Sequence, residues 1–183
     1  TDSTQKDVAK VTTTFTPLPS YYVDLLISNS STEGYVGNGV TETVPSVQVK
    51  TQSVNSNESA TYYFKAENEG NTLNYIKVTG EAGSGFAVAY HTGTSDGTDI
   101  TTQVTGEGYL TSLAVGATVE GRIVVSNSGN TLTTREITVT LISTTDSTQK
   151  DVAKVTTTFT PLPNYYVDLL ISNSSTEGYV GNG

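Results

Sequence analysis

Apolar and polar residues alternate with a period of two along several stretches of this 183-residue chain, and no stretch sustains a 3.6-residue apolar period. Ala60, Tyr62, Phe64 and Ala66 alternate with Thr61, Tyr63, Lys65 and Glu67. Val119, Gly121, Ile123 and Val125 form a second such face, and Ile137, Val139 and Leu141 a third. A fourth is Ala153, Val155, Thr157 and Phe159. Further strands are predicted over 21–28, 47–54, 73–79, 86–91 and 99–104, where Thr, Val, Tyr and Ile suit a pleated, half-buried surface. Asn68-Glu69-Gly70-Asn71-Thr72-Leu73 matches Asn127-Ser128-Gly129-Asn130-Thr131-Leu132 at five of six positions. Gly and Asn accept tight backbone geometry, so each is read as a turn between antiparallel strands. About eight to ten strands in roughly 140 residues predict an all-β, immunoglobulin-like β-sandwich. The fold usually takes about 100 residues, so the surplus is expected in 30–45 and 80–108.

A longer self-similarity organises the chain. Residues 1–39 and 145–183 agree at 38 of 39 positions, Ser20 being replaced by Asn164. The offset of 144 residues is the size of a whole domain rather than of a solenoid repeat. The pattern predicts an excerpt from a tandem array of 144-residue repeats. Four of the five prolines lie in Pro17-Leu18-Pro19 and Pro161-Leu162-Pro163, which favour extended, semi-rigid connectors. Residues 1–17 are then the C-terminal strand of a preceding repeat, 18–161 a complete sandwich, and 162–183 the opening of the next.

The strand from Tyr62 ending in the Asn68–Asn71 turn, followed later by Leu113-Ala114-Val115-Gly116 and the alternating 119–125 strand, resembles bacterial tandem Ig-like surface repeats. These are the cell-adhesion-related (CARDB-like) and NEW3-like β-sandwich domains. Val115 stands where that pattern usually carries Pro. The resemblance covers most of 47–160. It implies domains strung along large secreted or surface-anchored proteins, and so an extracellular or cell-surface location.

Composition narrows the chemistry. Nine basic residues against eighteen acidic give a net charge of −9, with fourteen acids and seven bases in one 144-residue period. Nucleic-acid binding is not expected, because phosphate neutralisation needs clustered Lys and Arg. The absence of Cys excludes disulfides, thiolate zinc sites and cysteine nucleophiles. The longest apolar run, 23–27, is interrupted by Asp24, so no membrane-inserting segment is predicted. The single histidine, His91, has no Ser or Asp constellation around it in sequence, so no catalytic residue and no enzyme activity are expected.

Calcium is the one cofactor worth weighing. Asp96 and Asp99 place two carboxylates on a Gly-containing loop, without the D-x-D-x-D-G spacing of a dedicated calcium loop. An Asp-Gly turn accounts for the same residues. Asp24 and its equivalent Asp168, near the hinges, are weaker candidates for an ion site between domains. Asn29, Asn57 and Asn173 each begin a glycosylation sequon. Lys50, Lys65 and Lys77 carry no signature of an internal crosslink. Tyr21-Tyr22, Tyr35, Tyr62-Tyr63 and Tyr109 raise carbohydrate stacking, although adjacent strand tyrosines point to opposite faces, leaving one of each pair for the core.

Two function classes follow. The first is a structural stalk, filament or surface fibre whose partners are neighbouring repeats and identical chains. Each domain in such an array receives its closing strand in cis, the alternative being insertion of 150–160 into a neighbour. The second is an adhesin or S-layer-like module recognising a surface ligand or carbohydrate through 80–108.

Overall fold

The computed structural model describes residues 4 and 6–165. Nine strands and one short helix follow one another as β1 (Val23–Ser28), β2 (Val49–Asn55), β3 (Ser59–Asn68), β4 (Asn74–Gly80), β5 (Ala87–Thr92), α1 (Thr101–Thr105), β6 (Tyr109–Leu113), β7 (Thr118–Ser126), β8 (Thr133–Ser143) and β9 (Lys150–Thr160). They form two sheets, of order β1-β3-β7-β5 and β2-β9-β8-β4-β6. All pairings are antiparallel except β2 with β9, which is parallel. Packed face to face, the sheets make an immunoglobulin-like β-sandwich. One ordering departs from the usual path: β5 joins the edge of the first sheet before β6 joins the edge of the second.

The alternation read from the sequence is the core. Ala60, Tyr62, Phe64 and Ala66 of β3, Ile123 and Val125 of β7, Ile137, Val139 and Leu141 of β8, and Ala153, Val155 and Phe159 of β9 are all buried in one cluster. Tyr62 ties the sheets together, its hydroxyl donating to the Thr156 carbonyl of β9 at 2.7 Å. Its neighbour Tyr63 points the other way, opposite Arg122 on the outer face. Gly121 is the one residue on the inward face of β7 without a side chain, and a Cβ there would meet Phe64 Cζ at 2.2 Å.

Three expectations change. The segment 99–104 holds the helix α1 rather than a strand. Ile100 and Val104, four residues apart, are both buried, and that spacing belongs to a helix. A strand not anticipated, β6, pairs with β4. Finally, neither Asn-x-Gly-Asn turn joins strands of one sheet. The first carries the chain from β3 to β4 and the second from β7 to β8, so both cross between sheets. A tight turn sets a local reversal, whereas burial of both flanking strands decides which sheet receives the next one.

Both edges of the first sheet are covered by non-strand segments. Ile27 of β1 exchanges backbone hydrogen bonds with Val36 at 3.0 Å. On β5, the Ile100 amide donates to Tyr90 O at 2.9 Å, and the Tyr90 amide donates to the Thr101 hydroxyl at 2.9 Å. Covered edges resist pairing with another copy of the same fold.

Candidate functional site: the strand slot and the two poles

β9 fills the slot between β2 and β8, and its first residues are fastened by Asp151. This wholly buried carboxylate accepts the Leu25 amide of β1 at 2.7 Å and Gln48 Nε2 at 2.8 Å on one oxygen. The other oxygen accepts the amides of Glu42 and Val152, both at 2.8 Å. Four donors satisfy the charge, as a buried carboxylate requires.

The same eleven-residue sequence occurs at 6–16, where it forms no strand. Val8, Val11 and Phe15 are 86%, 87% and 88% exposed, whereas their counterparts Val152, Val155 and Phe159 are 3%, 1% and 0% exposed. Asp7, the counterpart of Asp151, is exposed as well. The same local sequence is thus exposed at 6–16 and buried in β9.

The two proline hinges are held by the two related turns. Asn71 takes the first: its Oδ1 accepts the Ser20 amide at 2.8 Å, and its Nδ2 donates to the Leu18 carbonyl at 2.9 Å. Gly70 lets that hinge come close, since a Cβ there would lie 2.2 Å from Ser20 O. Asn130 takes the second hinge, its Oδ1 accepting the Leu162 amide at 2.7 Å and the Ser56 hydroxyl at 2.7 Å. β3 and β7 are antiparallel, with Glu67 opposite Thr118 and Ser59 opposite Ser126. The turns that follow them therefore lie at opposite poles of the sandwich. The sequence signature was visible, but its role in gripping the hinges was not, because the partners are 32 to 53 residues apart.

Asp96 and Asp99 are both exposed. Asp99 Oδ1 accepts the Thr101 amide at 2.8 Å ahead of α1, and the hydrogen bonds from Thr101, with a smaller effect of nearby His91, lower its carboxyl below the ordinary range. His91 lies on β5 opposite Arg122, bridged to Asp99. The three carboxylates that the described residues bring together are different ones: Asp24, Glu67 and Glu69 offer oxygens within 4.8 Å of one another. Asp24 is a buried β1 residue in register with Glu67 of β3. Burial pushes its carboxyl up to about 7, with Glu69, Asp151 and Glu67 adding repulsion and the Gly39 amide opposing the shift. Asp168 and Asn173 lie outside the described residues.

Of the tyrosines, Tyr35 lies under Lys65 Nζ at 4.7 Å from its ring centre, and Lys65 also pairs with Glu120 at 3.0 Å. Beside them an open cleft of about 770 Å³ is lined by Lys65, Gln103, Tyr109, Thr118 and Glu120, among others. No helix among the described residues is long and apolar enough to cross a membrane.

No protein-family model matches the sequence, and no curated protein is significantly similar to it. Among solved structures, PapD-like domain 7 of human CEP192 is similar at a TM-score of 0.41 and 12% identity, over 88% of this chain and 99% of that one. The N-terminal domain of PorA is similar at a TM-score of 0.39 and 11% identity, over 74% and 96%. A family 123 glycoside hydrolase from Clostridium perfringens gives a TM-score of 0.48 and 3% identity, over 77% of this chain and 27% of the enzyme. At such identities the likeness concerns the fold alone.

Proposed function

We propose that this chain is part of an extracellular structural protein, a stalk, filament or surface fibre built from covalently linked, near-identical sandwiches. The observation that carries the reading is the placement of the two hinge copies at opposite poles, each held by a copy of the same turn. In an array, one hinge serves two sandwiches. The atoms used do not compete: Asn130 takes the Leu162 amide, while Asn71 takes the carbonyl of the equivalent Leu18. A single leucine would thus be bonded through its N–H to the sandwich before it and through its C=O to the one after. The junction so made is short and directional, and its two copies differ only in Ser20 against Asn164.

The exposed, unpaired segment 6–16 fits the same scheme, as the β9 of a preceding sandwich. In the present fold β9 closes its own sandwich in cis. The open cleft beside Tyr109 favours the second reading, an adhesin-type module binding a ligand or carbohydrate near 80–108. Long-read sequencing of the native gene separates the two. A spacer or fibre is expected to keep 80–108 constant among repeats; a recognition module is expected to vary that segment while conserving Asn71, Asn130 and the hinges.

A further inference from the structure

We propose that Asp24, Glu67 and Glu69 form a calcium site at the pole of the sandwich that grips the first hinge. The site uses residues of one sandwich only, so it stands or falls independently of the array.

Strand register creates the site. Asp24 and Glu67 are direct partners across β1 and β3. Glu69 follows in the turn and is drawn against β1 by its own amide, which donates to Tyr22 O at 3.1 Å. The three carboxylate oxygens lie within 4.8 Å of one another. Calcium binds oxygen at about 2.3–2.6 Å, so one ion can reach oxygens up to about 5 Å apart.

The buried member supplies the independent indication. Asp24 is 1% exposed. Its Oδ2 accepts the Gly39 amide at 2.8 Å, whereas its Oδ1 is buried with no partner. Asp24 thus brings a buried, half-partnered carboxyl beside two further carboxylates, an arrangement that is costly when ionised unless a proton or a cation compensates it. Neither of the two ion pairs among the described residues reaches the cluster; they join Lys65 to Glu120 and Lys154 to Glu136. Glu67 has a hydroxyl partner, Thr118 Oγ1 at 3.2 Å, which orients it without neutralising it.

The donor set selects the metal. Three carboxylates and no nitrogen or sulfur suit a hard cation. Three protein carboxylates at one point suit calcium, which takes many protein oxygens in flexible geometry, better than magnesium, which usually keeps several waters and only one or two carboxylates. Bound there, the ion would link β1, β3 and the 68–71 turn, and so stiffen the support of Asn71.

The test is calorimetric titration of the full chain with calcium chloride and, separately, magnesium chloride, together with thermal unfolding in calcium or in chelator. Saturable calcium binding and a rise in melting temperature are expected, with a weaker magnesium response. Glu69→Gln changes an exposed side chain and should fold normally while losing roughly tenfold or more in calcium affinity. Asp24→Asn should abolish the calcium-dependent rise and, in chelator, melt no lower than the unsubstituted chain. The proposal is overturned by no response up to about 10 mM calcium, well above the range of weak extracellular sites. It is equally overturned by an unchanged response in Glu69→Gln, or by equal responses to the two metals.

Discussion

The Asp151 carboxylate at the start of β9 accepts the backbone amide of Leu25 on β1 at 2.7 Å, joining the two sheets where the closing strand begins. Gln48, Glu42 and Val152 supply the other donors to the same carboxylate. Asp151→Ala should leave several buried donors unpaired and cost at least about 3 kcal/mol. Asp7→Ala, the same change in the same local sequence, should alter stability by less than about 0.5 kcal/mol, because Asp7 is exposed. Urea unfolding of the two variants checks the contrast.

Proline gives a second contrast between the two copies. Val155 lies in the middle of β9, opposite Lys50 on one side and Ile137 on the other. Val155→Pro should unfold the sandwich by removing a central ladder position. Val11→Pro should leave its circular dichroism and melting temperature unchanged. If Val155→Pro instead kept the fold and altered only association between chains, cis closure by β9 would be wrong.

Gly121 and Phe64 form a packed pair across β7 and β3, with Phe64 Cζ 2.2 Å from where a Cβ would stand. Gly121→Ala should cost about 1–3 kcal/mol by overpacking. The smaller ring-free side chain in Phe64→Leu should relieve part of that cost. A double-mutant cycle in urea should give a coupling well above about 0.5 kcal/mol; additivity would mean that Phe64 does not abut Gly121.

The loop over β1 carries a pH response. Hydrogen bonds from the hydroxyl and amide of Ser46, with the amides of Gln48 and Val47, hold the Glu42 carboxyl at about 2, below its ordinary 4.5. A depressed carboxyl favours the folded loop above its ordinary pKa, and this contribution is lost as pH falls from about 4.5 towards 2. The amide resonances of Ser46, Val47 and Gln48 should move together over that window. Glu42→Gln should abolish the movement.

The legible part of this fold was the part dictated by burial along single strands. Tyr62, Ile123, Leu141 and Phe159 declared themselves because alternate residues of a strand face one core. What escaped was set by partners distant in sequence. The Asn68–Asn71 and Asn127–Asn130 turns have the chemistry of a reversal, yet whether the chain returns to its own sheet depends on β4 and β8, which pair with each other. α1 was hidden by its Thr-rich sequence, which has strand propensity, although the Ile100–Val104 spacing carried the helical signal. Asp24 was noticeable as a charge inside an apolar run. Its neighbours Glu67 and Glu69 were not, because only the β1–β3 register brings them to it.

The hinge grips can be tested one at a time. Asn71→Ala should free the Leu18 carbonyl and the Ser20 amide, leaving Ser20 held only by the residue-71 backbone amide, and Asn130→Ala should free the Leu162 amide, each at a global cost of about 1 kcal/mol. ¹⁵N relaxation should show lowered order at the hinge whose asparagine is missing and no change at the other. Equal loosening of both would mean that the poles are not independent.

The array itself is tested most directly by electron imaging of the native protein. The expected image is a straight or regularly curved string, with one sandwich for every 144 residues and a constant angle between neighbours. Sandwiches joined at random angles, or a native protein with a single sandwich, would contradict it.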